Sequence, residues 1–225
     1  MAPKFWMNSQ VCLVCPTIDR PVWYCQAMST DMLDSRSARE RLLAAADELF
    51  YADGVHTVGI DRVIDRAGVA KATLYSTFGS KDELIRAYLE RRHVARQERM
   101  TTVLARYETP RDRLLGVFDA LAESVSEPGY RGCAFINASA ETPPGGPVEQ
   151  VSDESRAWMR SLLLSLSRAA GAVEPEHLAR QLGLLYDGAS ACARMDRDPG
   201  AALAARATAA TLLDLATNSD TASRS

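Results

Sequence analysis

From Ser37 the chain places Ala38, Leu42, Ala45, Leu49 and Phe50 at three- and four-residue intervals, the spacing of one helical face that Gly54 can end. Ile60, Val63 and Ile64 repeat the pattern over a much shorter span. It stops at Ala67-Gly68-Val69, where glycine permits a left-handed turn that other residues resist. A third helix over residues 70–78 turns Leu74 and Phe78 inward at an i, i+4 spacing, and Gly79 closes it. Ser80 stands in an N-cap position with Glu83 three residues later, a capping-box pattern that starts a fourth helix near Lys81. That helix carries Leu84, Ile85, Tyr88 and Leu89 and extends to about Arg106, since no Gly or Pro interrupts it before Pro110.

Beyond Pro110 the periodic groups continue. They are Leu114, Leu115, Phe118, Leu121 and Val125, then a short span around Phe135 to Ala140, then Val151, Trp158, Leu162 and Leu166. Pro128-Gly129 and Pro143-Pro144-Gly145-Gly146-Pro147 separate them as loops. Two further segments, around Leu178–Ala189 and from about Ala201 to Ala216, are apolar on more than one face. No strand alternation of useful length interrupts this series. The pattern therefore predicts an all-α fold of about nine helices: an irregular arm at 1–34, a compact helical unit at 35–80, a larger helical domain at 81–217 and a tail at 218–225.

Composition narrows the class without naming a partner. At 225 residues, with 47% hydrophobic and 24% charged residues, the chain has the usage of a globular protein, and it lacks the roughly 18 consecutive apolar residues needed to span a bilayer. The formal net charge of −3 gives no sign of nucleic-acid binding. From Arg36 to Asp82 seven basic residues (Arg36, Arg39, Arg41, Arg62, Arg66, Lys71, Lys81) face seven acidic ones (Glu40, Asp47, Glu48, Asp53, Asp61, Asp65, Asp82), so any affinity for phosphates rests on local geometry. Five cysteines, Cys12, Cys15, Cys25, Cys133 and Cys192, make an odd count with no disulfide framework, which fits a reducing cytoplasm. Cys12 and Cys15 form a C-x-x-C without a second pair at zinc-ligand spacing, and the expectation is no metal and no cofactor. The first 30 or so residues lack the basic start and apolar stretch of a secretory signal.

Two short helices joined by a glycine-containing turn are what a helix-turn-helix requires. Residues 59–84 read GIDRVIDRAGVAKATLYSTFGSKDEL, and Ala67, Gly68, Val69, Thr73, Leu74, Tyr75, Phe78, Ser80, Lys81 and Leu84 fall at fixed spacing. This run resembles the TetR/AcrR family of transcriptional regulators, over about residues 37–88. Arg131-Gly-Cys-Ala-Phe-Ile-Asn-Ala is similar to a segment of a large subgroup of that family.

The resemblance implies that residues 70–78 form the recognition helix, with Lys71, Ala72, Thr73 and Ser76 toward base edges or nearby phosphates. Lys71 can donate to guanine, and the methyls of Ala72 and Thr73 can pack on thymine methyls. Tyr75, Thr77 and Lys81 suit phosphate oxygens, with Arg62 the weakest candidate. Gly59 stands where the family commonly has Ser or Thr, and Thr77 where it often has an aromatic or histidine. The resemblance further implies a homodimer on a palindromic operator and an effector cavity among the middle helices, taking a largely apolar small molecule. Phe118, Cys133, Phe135, Trp158, Leu162 and Tyr186 are the candidate lining residues, with Asn137 and Tyr186 as polar groups that orient the ligand. Gly183, Gly188, Ala189, Ala193, Ala205 and Ala209 are small enough for close approach in an intersubunit four-helix bundle. Two readings stand beside this one: a DNA-binding regulator without an inducer, and a thiol-dependent enzyme using His93, Cys133 and Asp187.

Overall fold

The computed structural model describes residues 37–217, which form nine helices and no strand. The arm at 1–34 with Cys12, Cys15 and Cys25, together with Arg36 and the tail at 218–225, lies outside the described residues. The helices are α1 (Ala38–Asp53), α2 (Ile60–Ala67), α3 (Lys71–Phe78), α4 (Lys81–Leu104), α5 (Pro110–Val125), α6 (Ala134–Glu141), α7 (Pro147–Ala169), α8 (Pro175–Met195) and α9 (Gly200–Thr217). Pro110, Pro147 and Pro175 each occupy the first turn of their helix, where the missing N–H has no intrahelical partner to lose.

Local chemistry sets the ends. Ser37 caps α1 with a complete capping box: its hydroxyl accepts from the Glu40 N–H while the Glu40 carboxylate accepts from the Ser37 N–H. At α4 only half of the expected box forms. Ser80 Oγ accepts from the Glu83 N–H, but the Glu83 carboxylate accepts from Arg86 instead, at 2.7 Å, because an arginine one turn on offers a charged donor. Gly59 gives α2 no side-chain cap. Gly68 ends α2 in the left-handed region (φ 63°), and the Val69 N–H returns to the Ile64 carbonyl.

Two hydrophobic cores lie among the described residues. One surrounds α1–α3 and the first half of α4, with Leu42, Val63, Leu74 and Leu84 fully buried. It also takes in Ala134, Phe135 and Ala138 of α6 and Val148 and Val151 of α7. The other gathers the end of α4 with α5, the second half of α7, α8 and α9 around Phe118, Leu163, Leu182 and Leu213. Helix α4, about 36 Å long at 1.5 Å per residue, runs through both. No helix among the described residues is long and apolar enough to cross a membrane.

Ala189, Ala193, Ala205 and Ala209 are buried within the chain. Their small side chains let α8 and α9 pack on each other and on α5, so they are not available to a second subunit. Gly183 lies 3.7 Å from Leu163 at the position a Cβ would take, and of the six expected small residues only Gly188 faces open space. The outward face of α8 and α9 instead carries Leu184, Met195, Leu203 and Leu215, each at least 60% exposed.

Candidate nucleic-acid interface and effector cavity

Helix α3 is held by a single fully buried side chain, Leu74, with Phe78 partly buried beneath the guanidinium of Arg39 at 5.4 Å. Its opposite face is exposed. Lys71, Ala72, Tyr75 and Ser76 form one continuous stripe at i, i+1, i+4 and i+5, with Tyr75 45% exposed. Thr73 and Thr77 sit half-buried at its edges.

Most polar groups at this surface already have a partner on the protein. Lys71 Nζ pairs with Asp61 at 2.9 Å, which raises the lysine pKa through the hydrogen bond and the carboxylate charge. Arg62 pairs with Asp53 at 2.7 Å and Arg66 with Glu48 at 2.8 Å. Lys81 Nζ donates to the His56 carbonyl at 3.4 Å. The hydroxyls of Ser76 and Thr77 both donate to the Thr73 carbonyl, at 3.1 and 2.6 Å, as hydroxyls inside helices commonly do. The three ion pairs are solvent-exposed and therefore weak, and a polyanion can displace them at little cost.

A cavity of about 570 Å³ opens between α6, α7 and α8. Phe135, Ile136, Met159, Leu163, Leu164 and Tyr186 supply apolar wall, with Ser139, Ser152 and Ser155 as polar points. Burial pushes the Tyr186 phenol up to about 12, so it stays a neutral hydrogen-bonding group. A smaller cavity of about 130 Å³ adjoins it, and Arg96, Cys133, Phe135, Tyr186 and Asp187 line both.

Among the sequence candidates, Cys133, Phe135 and Tyr186 reach these walls, while Phe118, Asn137, Trp158 and Leu162 do not. Phe118 is completely buried, its ring 6.2 Å from that of Tyr186. Trp158 and Leu162 pack against the second core. Asn137 braces α6, donating to the Arg131 carbonyl at 3.0 Å and accepting from Arg194 at 2.5 Å. His93, Cys133 and Asp187 are not assembled into a relay. His93 Nε2 lies 3.0 Å from the Gln97 amide, and Asp187 binds Arg156 at 3.3 Å. Burial lowers the His93 pKa and the nearby Arg96 charge adds to this, so the imidazole is neutral at neutral pH.

Residues that no periodicity marks connect the cavity to the helix-turn-helix. Arg92, one turn before Arg96 on α4, grips Asp47 of α1 through two hydrogen bonds of 2.6 and 3.0 Å and lies 3.9 Å over the Tyr51 ring. The Tyr51 hydroxyl accepts from the Arg131 N–H at 2.9 Å and donates to the Gly132 carbonyl at 3.0 Å, tying α1 to the segment that enters α6. At the other end of α6, Glu141 accepts from the His56 N–H at 2.8 Å. A Cβ on Gly54 would come within 2.7 Å of that carboxylate, so the α1–α2 turn approaches α6 as closely as glycine allows. Helix α6 thus forms one wall of the cavity and holds the turn leading into α2.

Comparison with known proteins agrees with this layout. Residues 42–88 match the family model for bacterial regulatory proteins of the tetR family. The HTH-type transcriptional activator FasR of Mycolicibacterium smegmatis is 51% identical over 53 residues, 24% of each chain. The HTH-type transcriptional repressor NemR of Escherichia coli is 31% identical over 137 residues, 58% of this chain and 66% of that one. The chain therefore spans about a quarter of FasR and just under two thirds of NemR. The crystal structure of SCO4454, a TetR-family transcriptional regulator from Streptomyces coelicolor, superposes with a TM-score of 0.76 at 33% identity, covering 80% of this chain and 96% of that one. With the helix-turn-helix and the helical body behind it matched together, the chain belongs to the TetR family of DNA-binding transcriptional regulators.

Proposed function

We propose that the protein works in the cytoplasm as a homodimeric repressor, with residues 35–80 binding a palindromic operator and residues 81–217 dimerising and taking a small, largely apolar effector that releases the DNA. The exposed stripe Lys71, Ala72, Tyr75 and Ser76 carries this reading, because a helix anchored by Leu74 and the partly buried Phe78 offers its opposite face to a major groove. Repression follows NemR, which is named a repressor, rather than FasR, which is named an activator. Coupling of 1–3 kcal/mol between cavity and operator is enough for roughly 5- to 150-fold control. The ties from α4 and α6 to α1 and its following turn give it a physical route.

Operator titrations over a range of salt test the contact roles. Lys81→Ala is expected to weaken all DNA alike and reduce the salt slope by about 1, whereas Lys71→Ala relaxes discrimination at particular base pairs. Equal losses on operator and random DNA for Lys71→Ala would remove its base-reading role.

The exposed leucines of α8 and α9 are the proposed dimer face. Leu203→Glu would place a carboxylate in an apolar contact, and sedimentation is expected to fall from twice the 24.5 kDa chain mass to the chain mass itself. A variant that stays dimeric at micromolar concentration would move the interface elsewhere.

A further inference from the structure

The charge around the larger cavity is unbalanced. Four arginines line it, Arg96, Arg156, Arg160 and Arg180, against two carboxylates, Asp187 and Glu176. Asp187 is held by Arg156, and Glu176 is held by Arg168, which does not line the cavity, at 2.5 Å. Among the described residues Arg96, Arg160 and Arg180 therefore have no carboxylate partner.

Arg96 is the deepest of the three. Its guanidinium lies 4.9 Å from the Phe135 ring and 5.8 Å from Trp158, and its acceptors are the hydroxyl and carbonyl oxygens of Ser155, a fully buried residue of α7. Its Nε is buried with no acceptor at all. A guanidinium packed near two aromatic rings, whose hydrogen-bond acceptors are both neutral, bears a desolvation cost that an anion entering the cavity offsets through its charge. The remaining wall is largely apolar.

We infer that the effector is an amphipathic carboxylate, with its apolar body along Phe135, Met159, Leu163 and Tyr186 and its charge drawn to Arg96. This rests on the effector reading above and adds the chemical class. It also places the ligand's charge one helical turn from Arg92, whose grip on Asp47 and Tyr51 ties α4 to α1. Arg160 and Arg180, exposed at the cavity wall, add a positive field that favours an anion entering and disfavours an amine.

The test is calorimetric titration of the full-length protein with matched pairs below their micellar concentrations: decanoate against decan-1-ol, and 4-phenylbutyrate against 4-phenylbutan-1-ol. For at least one pair the acid is expected to bind about 10-fold or more tightly than the alcohol. Arg96→Gln should remove that advantage by weakening the acid more than the alcohol, and Arg96→Lys should restore part of it. If Arg96→Gln fails to fold, the acid–alcohol comparison on the unaltered protein decides alone. Alcohols that bind as tightly as their acids overturn the carboxylate assignment and leave the effector cavity standing. An absence of saturable binding by either member of both pairs overturns the assignment together with the effector reading.

Discussion

Ala72→Glu is expected to lower operator affinity by about 100-fold or more while leaving the folded protein as stable as before. Ala72 is exposed in the first turn of α3, on the same stripe as Lys71, Tyr75 and Ser76. In a major groove a carboxylate at this point meets phosphates and base acceptors, and juxtaposed like charges cost several kcal/mol. In the free protein the same carboxylate sits at the positive end of the helix, where an acidic side chain is mildly favourable. A thermal melt and an operator titration on one preparation separate the two effects. Unchanged affinity would mean that this face does not approach DNA.

The second large effect is on stability. Phe118 is fully buried in the second core, packed behind Tyr186, and lines neither cavity. Phe118→Ala is expected to cost about 3–5 kcal/mol. For a chain of this size that lowers the melting temperature by roughly 6–20 °C. A ligand-contact residue at the edge of a cavity would behave differently, because its truncation removes wall rather than packing. A melting temperature within a few degrees of the unaltered protein would return Phe118 to the cavity.

The DNA-binding end was legible in the sequence because its constraints are local. Gly68 sits where a left-handed turn is required, Leu74 and Phe78 recur at i, i+4, and Ser80 stands three residues before an N–H it can cap. Each feature is set within one or two turns of chain, so spacing alone exposes it. Partner choice was not legible in the same way. The Thr77 hydroxyl turns back to the Thr73 carbonyl and Lys71 finds Asp61, contacts that depend on rotamers rather than on order along the chain.

The cavity was only partly readable for a related reason. Cys133 and Phe135 stand out within Arg131–Ala138, yet Arg96 and Ser155 lie on different helices, 59 positions apart, and neither carries a periodic signature. Apolar rings do not announce which of two neighbouring spaces they border, so Phe118 and Trp158 read as wall, whereas Phe118 is core and Trp158 packs partly buried against that core. The alanines of α8 and α9 show the same ambiguity: small residues at helical spacing permit close approach without saying whether the approaching helix belongs to the same chain. The inclusion of α6 in the core around α1 links residues some 80 positions apart, beyond the reach of any pattern along the chain.

On the proposed function α3 stands out from the body and reads a duplex, once from each subunit of a dimer. Selection of bound DNA from a random double-stranded pool at low salt addresses it most directly. The predicted result is an enriched two-fold symmetric sequence whose half-sites lie about one helical turn apart, near 34–36 Å centre to centre. A bound fraction no different in sequence from the starting pool would contradict it.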